Sequence, residues 1–398
     1  MTVSPTASTP ADISVLSPTQ AVNVAKRLAV AFAARANDAD IEGRLPQADI
    51  DALKTSGYLG MSIPTEYGGA SLTLRQCLDA HLELAKGSTS TALVAAMHLH
   101  TLGHASETRP WDEDAFAAIC RAAATGELVN AVASEPKLGS PSRGGLPETT
   151  ATVNGDTLVI NGHKNWTTGG EHLDHLVMRV TLVSGDGAEG AMVWVPAHNP
   201  GIRVDATWSD SLSLRASDSH DMYFEDVHVP KANLLQRDSQ KAASNTVWFP
   251  MLMAATYFGA ALAARDVVVK YALERVPTAL GQPIATLPKI QRQIGEIDIA
   301  LQAAQGLLLS VADQWQHITP DTPAATRAAM RPNVAAAKHL ATETALSVTE
   351  QCLKIAGGAS IGRELPLERY FRDVRAGIMH PPAGDSALEL VGQAALGL

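Results

Sequence analysis

The chain has 398 residues, and 46% of them are hydrophobic, which is enough for a large core shared by two or three domains. Its formal net charge is −10, with no long run of Lys or Arg, so neither nucleic acid nor an anionic membrane is expected as a partner. No apolar run is long enough to predict a transmembrane segment. Cys77, Cys120 and Cys352 lie far apart, which predicts buried thiols in the reducing cytoplasm rather than a zinc site.

The first part of the chain is predicted to be helical. Residues 1–18 are rich in Ser, Thr and Pro and lack a targeting pattern, so they are expected to form a loose tail. Residues 19–128 carry Ala and Leu at helical spacing, broken by turns such as the Pro- and Gly-containing segment 63–69. This pattern predicts an N-terminal α-helical domain.

The middle of the chain, residues 129–235, has the character of β-structure. The segments 150–153 and 157–160 flank Asn154-Gly155-Asp156, and Asn-Gly tolerates the positive φ of a tight turn, so a β-hairpin is predicted. Further apolar runs at 176–183, 191–195 and 223–230 are bounded by Gly, Asp and Pro. These short runs predict a small β-domain.

The last part, residues 236–398, is predicted to be a helical bundle. Its clearest signal is a seam of apolar residues with alternating steps of four and three, typical of helix-on-helix packing: Ile290, Ile294, Ile297, Leu301, Ala304, Leu308 and Val311. A further helix is expected from about Arg327 to Ala356, ending at Gly357 and Gly358. No Gly-x-Gly-x-x-Gly motif follows a strand, which disfavours a Rossmann dehydrogenase.

Three motifs stand out at 133–140 (ASEPKLGS), 161–169 (NGHKNWTTG) and 368–382 (ERYFRDVRAGIMHPP). Together with the order of the three parts, they resemble the acyl-CoA dehydrogenase superfamily of flavoproteins, over nearly the whole chain after the tail. The resemblance implies an α+β multidomain fold with an N-terminal α-helical domain, a middle β-barrel and a C-terminal four-helix bundle. It also implies FAD at the domain junction and a homotetramer.

The resemblance places part of the flavin site on this chain. Ser134 matches a family residue that bonds the pyrimidine edge of the flavin, and a small hydroxyl can donate there without crowding the ring. Ser140 follows in a loop that approaches the flavin and its ligands. Trp166 matches an aromatic residue that lies against the isoalloxazine, and Thr168 matches a hydroxyl near flavin N5. A lone Trp on a β-domain is otherwise more often a core residue.

The pyrophosphate end of the cofactor departs from the family pattern. Members carry an Arg-x-x-Phe-Gly motif whose Arg reaches the FAD of a neighbouring subunit, whereas this chain reads RVPTALG at 275–281. Lys354 stands where many members have Gln, ahead of Gly357 and Gly358. Since a buried pyrophosphate needs donors, Lys354, together with Arg275, is a candidate replacement. The alternative is a solvated lysine at a helix end, with the flavin held loosely as a diffusible substrate.

The expected catalytic glutamate is also missing. Acyl thioester dehydrogenation needs a base for the α-proton while flavin N5 takes the β-hydride. The family places a glutamate after the C-terminal Arg-Asp or on the first bundle helix, but the segment 248–259 contains no carboxylate. The candidate is His380, whose unperturbed pKa of roughly 6.5 suits acid–base work. Asp385 and Glu389 follow and are expected on a solvated loop and helix face.

A histidine at this place also resembles the reduced-flavin monooxygenases of the same fold, in which it assists hydroxylation by a flavin C4a-hydroperoxide. His98 and His100 lie on a predicted helix that borders the substrate pocket in the family. Histidines on apolar helices are more often packed core residues than ligand-binding residues. His98 and His100 are therefore candidates for the pocket, with a core role as the alternative for each.

Three functions remain open. The first is an FAD enzyme that oxidises an acyl-CoA-like thioester with His380 as base and passes electrons to an electron-transfer protein; family breadth places it ahead. The second is a monooxygenase that receives reduced FMN or FAD from a flavin reductase. The third is a non-catalytic partner subunit of a hetero-oligomer. The near-complete flavin motifs and an ionisable residue at the pocket argue against the third function.

Overall fold

The computed structural model describes residues 15–138, 145–185, 187–238, 247–318 and 322–398. Its N-terminal part is helical, with α1 (Pro18–Glu42), α2 (Gln47–Thr55), α3 (Leu74–Ala85), α4 (Thr89–Thr108) and α5 (Glu113–Ala124). Ser17 begins α1 as half of a capping box with Gln20, and Gly43 ends it at φ +62°. The first helix therefore begins at Pro18, the last residue of the predicted tail, and residues 1–14 lie outside the described part of the chain.

The middle part is a single sheet of eight strands, which bears out the β-character of this region. The strands are β1 (Val129–Val132), β2 (Thr150–Asn154), β3 (Thr157–Thr167), β4 (His175–Ser184), β5 (Gly187–Pro196), β6 (Ile202–Asp205), β7 (His220–Pro230) and β8 (Leu234–Arg237). Their order is β6-β7-β3-β2-β4-β5-β8, and β1 pairs with β4 in parallel. The predicted hairpin joins β2 to β3, with Gly155 at φ +59° in the turn.

The third part is a helical bundle made of α6 (Trp248–Glu274), α7 (Pro288–Trp315), α8 (Ala324–Ala329), α9 (Arg331–Ala356), α10 (Leu367–Asp373) and α11 (Gly384–Leu396). The predicted seam lies on α7, where all its members are buried except the partly buried Ile294. The predicted last long helix is divided: α9 begins at Arg331, after the short α8. Pro332 explains the break, because proline fits the first turn of a helix and restricts the residue before it.

Two bundle helices, α6 and α7, are long and apolar enough to cross a membrane by length and composition, although no continuous apolar run suggested this. In α6, 72% of the apolar window is buried inside the protein, as in the core helix of a globular domain. The α7 residues that are buried face α6 and α9 along the seam. The apolar character of α6 is therefore explained by packing against α3, α4 and α9.

The C-terminal segment ties the three parts together. Arg372 on α10 forms a bidentate pair with Asp40 of α1, with N–O distances of 3.1 and 2.6 Å. Asp373 accepts a hydrogen bond from the Leu214 amide at 2.8 Å, and its carbonyl accepts one from the Ser213 hydroxyl at 2.9 Å. The segment that leads to His380 is thus anchored to both the N-terminal helices and the sheet domain.

Candidate active site

His380 lies in an aromatic environment formed by α6. Its Nδ1 is 3.0 Å from the Tyr257 hydroxyl, and its ring lies edge-on to Phe249 at a centroid distance of 5.9 Å. Burial and, as a smaller cause, the nearby positive charge of Lys338 together lower the pKa of His380 to about 4. The imidazole is therefore neutral at pH 7.

His100, on α4, contacts the same phenyl ring. Its imidazole is edge-on to Phe249 at a centroid distance of 5.0 Å. Its Nε2 is buried and has no hydrogen-bond partner among the residues that the structure describes. Burial lowers the pKa of His100 to about 3, and the neighbouring His104 and His380 add to the effect. A neutral imidazole with a free nitrogen is a group that can bind a polar ligand atom.

His98 lies in the core, which argues against its predicted place in the pocket. Its Nε2 is 2.9 Å from the Leu59 carbonyl, and its Nδ1 accepts from the Val129 amide at 3.0 Å. Both ring nitrogens are thus used by backbone groups, and the side chain is fully buried. The structure thus favours a core role for His98 over a place in the pocket. His98 connects α4 to the first strand and to the segment before α3.

In the described part of the chain, no Asp or Glu forms an ion pair or hydrogen bond with His380. The Asp373 carboxylate acts electrostatically on Tyr257 but is not among the groups that shift the pKa of His380. Residues of α6 that face inward around Tyr257 are apolar or neutral. Asp385 and Glu389, at the start and middle of α11, are exposed, as expected of a solvated helix. Among the described residues, the ionisable groups that contact His380 or shift its pKa are thus Tyr257 and Lys338, and His380 in turn lowers the pKa of His100.

The predicted flavin-binding residues of the sheet domain come together beside the end of β3. The Asn165 amide donates to the Ser134 carbonyl at 3.1 Å, and the Thr168 amide donates to the Trp166 carbonyl at 3.0 Å. Trp166 sits where the register between β3 and β7 shifts, at φ +56°, and 59% of it is exposed. Such an irregularity re-aims a side chain out of the sheet. Ser140 lies outside the described residues.

A chain of buried hydroxyl groups continues from Thr168. Its Oγ1 is 2.9 Å from the Ser219 Oγ, which is 2.8 Å from the Ser217 Oγ. The Thr168 carbonyl accepts from the Asn130 amide at 2.8 Å, while Asn130 Oδ1 stays buried without a partner in the described residues. The chain fixes the position of the Thr168 hydroxyl. Ser219 was missed in the sequence because no motif marks it.

Glu135 has a structural role beside the site. Its carboxylate accepts from the Lys164 ammonium at 2.7 Å and from the Glu148 and Thr149 amides at 2.6 and 3.0 Å. Burial disfavours its charged form, but the Lys164 bond and the Thr149 bond outweigh this and lower the pKa of Glu135. The ion pair holds the segment of Ser134 against β3, so it supports the site without facing it.

The residues predicted for the pyrophosphate lie on the surface at the end of α9. Lys354 is exposed and pairs with Glu350 at 2.7 Å. A Cβ on Gly357 or Gly358 would meet no atom within 4 Å, and Gly357 has φ +59°. Arg275 is also exposed. No described atom would clash with a side chain at these glycines, so open space surrounds this end of the bundle. The role of Lys354 and the two glycines in binding the pyrophosphate stays a prediction.

Two functional residues could not be recognised by motif. Tyr257 and Lys338 contact His380 although they lie 123 and 42 residues from it in the sequence. The only sequence signal for Lys338 is a charged residue within an apolar helical stretch, at 334–341. The sequence signal for Tyr257 is weaker still: it is a hydroxyl group in a largely apolar helix.

Comparisons with known proteins identify the class to which this arrangement belongs. Models of the N-terminal, middle and C-terminal domains of acyl-CoA dehydrogenase match residues 21–107, 130–227 and 251–383. YdbM of Bacillus subtilis (strain 168), named for the acyl-CoA dehydrogenases, is 34% identical over 363 residues, which are 91% of this chain and 93% of YdbM.

Solved structures show the same fold. FMN-bound TdsC from Paenibacillus sp. A11-2, a dibenzothiophene monooxygenase, superposes with a TM-score of 0.86 at 23% identity, covering 95% of this chain and 97% of TdsC. Butyryl-CoA dehydrogenase from Megasphaera elsdenii superposes with a TM-score of 0.82 at 22% identity, covering 96% of this chain and 99% of that enzyme. The chain belongs to the acyl-CoA dehydrogenase family. It is a flavin-dependent oxidoreductase of that family.

The residues at the end of β3 fit a flavin. Trp166 presents a large, exposed aromatic face, which an isolated domain would normally bury and which suits stacking on a planar ring. Ser134 and Thr168 place polar groups beside it, and Asn165 Oδ1 and Thr167 Oγ1 are buried oxygens without partners among the described residues. We expect the isoalloxazine to lie against Trp166, with Thr168 near its edge.

Proposed function

We propose that the protein is a reduced-flavin-dependent monooxygenase that acts on a small hydrophobic molecule. The observation that carries this proposal is the hydrogen bond between the Tyr257 hydroxyl and His380 Nδ1, where no carboxylate of the described residues bonds to the imidazole. This bond supports an imidazole that acts as a hydrogen-bond donor toward a ligand. A dehydrogenase needs instead a base that removes a proton from carbon.

The direction of that hydrogen bond follows from the surroundings of Tyr257. The tyrosine is fully buried, and burial keeps it protonated by raising its pKa well above the ordinary value. Among the described residues, His380 is the one side-chain partner of its hydroxyl. If Nδ1 donated to the tyrosine, the buried hydroxyl proton would be left without an acceptor, at a cost of about 1–3 kcal/mol. Tyr257 therefore donates, and the proton of the neutral imidazole resides on Nε2.

This tautomer determines what His380 can do. A protonated Nε2 can donate a hydrogen bond to an oxygen atom of a ligand, but it cannot accept a proton. The low pKa of about 4 also makes the ring a weak base at neutral pH. His100 offers a second neutral imidazole with a free nitrogen. Both rings contact Phe249, so either nitrogen could bind a polar atom of a substrate that lies beside this phenyl ring.

A bound reduced flavin would supply dioxygen activation, in which one oxygen atom enters the substrate and the other leaves as water. Trp166 would hold the ring by stacking, and Ser134 and Thr168 would bond its edges. His380 Nε2 would donate to the reacting oxygen and stabilise the charge that develops there. Solved neighbours include FMN-bound TdsC and methanesulfinate monooxygenase MsuC from Pseudomonas fluorescens, and these names agree with the proposal.

Acyl-CoA dehydrogenation is the second candidate. It is favoured by the relative YdbM and by the short-chain specific acyl-CoA dehydrogenase of Mus musculus, which is 29% identical over 348 residues. In this alternative, His380 Nε2 is unprotonated and takes the α-proton of the thioester, and Nδ1 donates to Tyr257. The two candidates thus require opposite tautomers of His380.

The proposed activity implies particular partners. A monooxygenase of this kind receives its reduced flavin, FMN or FAD, from a separate flavin reductase. A dehydrogenase would pass electrons to an electron-transfer protein. We also propose a homotetramer, in which Lys354 reaches the flavin of a neighbouring subunit, and a cytoplasmic location. The three buried, free cysteines agree with a reducing compartment.

The experiment has two arms on the purified protein. In the first, oxidised FAD protein is mixed anaerobically with butyryl-, octanoyl- and palmitoyl-CoA, and we expect no loss of flavin absorbance. In the second, reduced FMN or FAD is bound anaerobically and then mixed with oxygen. We expect tighter binding than for oxidised flavin and reoxidation in two resolved phases.

His380→Ala provides the matched variant. It should bind reduced flavin with unchanged affinity but lose the slower phase of reoxidation. Bleaching by any of the acyl-CoA thioesters would overturn the oxygenase proposal in favour of dehydrogenation. Failure to bind either redox state of the flavin would overturn both and favour the non-catalytic subunit.

A further inference from the structure

The ammonium group of Lys338 is held by backbone carbonyls that surround His380. Lys338 lies on α9 and is 1% exposed. Its Nζ donates to the carbonyl oxygens of Gly377, His380 and Pro382 at 2.8, 2.7 and 3.1 Å. No Asp or Glu of the described residues forms an ion pair with it. The hydrogen bonds of this buried ammonium are therefore all made with the segment 377–382.

This geometry uses all three donors of the lysine. An ammonium has three N–H groups and no acceptor, and here each one meets a different carbonyl. The three carbonyls come from both sides of His380, so the bonds fix the backbone on which the imidazole is mounted. A hydrogen bond to a charged group contributes roughly twice as much as a neutral one. Loss of the ammonium would free this segment while leaving the helix intact.

The charge of Lys338 also acts on the imidazole. Burial lowers the pKa of Lys338 to about 8, and the Glu343 carboxylate on the same helix opposes the shift. The lysine is therefore mostly protonated at pH 7. Its positive charge is the second cause, after burial, of the lowered pKa of His380. The hydroxyl of Tyr257, on α6, faces His380 from the other side and stays neutral.

We propose that Lys338 is a positioning residue for His380: its ammonium clamps the segment 377–382 and thereby fixes the position of the imidazole. The inference rests on the proposed role of His380 in the reaction, but the clamp itself is independent of the flavin. Lys338 touches neither flavin nor substrate and acts only through His380. The clamp also links the reaction to pH, because it weakens as Lys338 loses its proton.

The first test is made on flavin-free protein. A negative result would therefore count against the clamp alone and not against the proposed monooxygenase activity. The side-chain pKa of His380 is measured by NMR with labelled histidine in wild type, Lys338→Met and Lys338→Gln. Lys338→Met keeps the length of the side chain but removes the donors and the charge. We expect the pKa of His380 to rise toward its unperturbed value of roughly 6.5 in Lys338→Met and by a smaller amount in Lys338→Gln.

Lys270→Met is the matched control, since Lys270 is 74% exposed on α6. It should leave the pKa of His380 unchanged. With reduced flavin and oxygen, Lys338→Met should lower the rate of the slow reoxidation phase about tenfold or more at unchanged flavin affinity. An unchanged pKa of His380 in Lys338→Met would overturn the proposal, even if the variant were less stable.

A second measurement needs no variant and applies if Lys338→Met fails to fold. The wild-type protein is titrated from pH 6 to pH 11, and the amide shifts of Ile378 and Met379, inside the clamped segment, are followed. We expect them to change with a midpoint near 8, the pKa of Lys338. Amide shifts of Ile378 and Met379 that stay constant over this range would contradict the clamp.

Discussion

Removal of the Tyr257 hydroxyl is the sharpest single perturbation of the site. Tyr257→Phe keeps the ring, which packs so closely on Gly377 that a Cβ there would come within 2.8 Å of Tyr257 Cδ2. No cavity is created, so the effect measures the hydroxyl alone. The variant loses one buried hydrogen bond and leaves His380 Nδ1 without a donor.

The size of the effect follows from these two losses. A buried hydrogen bond contributes about 1 kcal/mol, and an unpaired buried polar atom costs about 1–3 kcal/mol. We expect the free energy of unfolding to fall by roughly 1–3 kcal/mol. Because His380 is then free to rotate and to change tautomer, the slow reoxidation phase should be at least about tenfold slower, while the affinity for reduced flavin is unchanged.

The assay combines urea denaturation with anaerobic rapid mixing of the reduced-flavin protein and oxygen. Tyr271→Phe is the matched control, because Tyr271 lies on the same helix, is half-buried and makes no side-chain hydrogen bond with a described residue. It should change neither quantity. Wild-type kinetics and stability in Tyr257→Phe would refute the role of this hydroxyl in holding His380.

Three further predictions concern other parts of the account. Burial raises the pKa of Asp373 to about 6, so the folded protein holds a proton there that the unfolded chain releases near pH 4. Wild type should therefore lose roughly 3 kcal/mol of stability relative to Asp373→Asn as the pH rises from about 4 to 6. Equal pH profiles of the two proteins in denaturation experiments would contradict this. Trp166→Ala should bind flavin roughly tenfold more weakly at unchanged Tm, and Trp166→Phe should restore most of the affinity. Both affinities are measured by fluorescence titration, and unchanged binding in Trp166→Ala would contradict the stacking role. His98→Ala should lose roughly 3 kcal/mol of stability, because the change leaves two backbone groups without hydrogen-bond partners. His100→Ala should lose less stability but should reduce the slow reoxidation phase more. The reverse order in denaturation and kinetic measurements would exchange the roles of the two histidines.

The fold could be predicted because its signals are local. The seam on α7 and the β2–β3 hairpin each depend on periodicity or on a turn within a few residues. The exposure of Trp166 could be expected only from the resemblance, since its cause is a register shift between β3 and β7. Local pattern thus determines the elements, while the irregularities that shape the site arise from pairing between them.

The interior of the site could not be predicted, because its contacts join distant parts of the chain. His98 and His100 differ by two positions on one helix, yet the first faces β1 and the second faces Phe249. Which face of a helix that is buried on most sides meets which neighbour is set by tertiary packing and not by periodicity. The partners of His380, on α6 and α9, are likewise defined only once the bundle has assembled.

A crystal structure of the protein with bound FMN or FAD tests the central claim most directly. We predict that the isoalloxazine lies between Trp166 and His380, with the imidazole Nε2 facing the reactive edge of the ring. No Asp or Glu oxygen should lie within about 4 Å of flavin N5. An acidic side chain at that position, or an imidazole turned toward bulk solvent, would contradict the account.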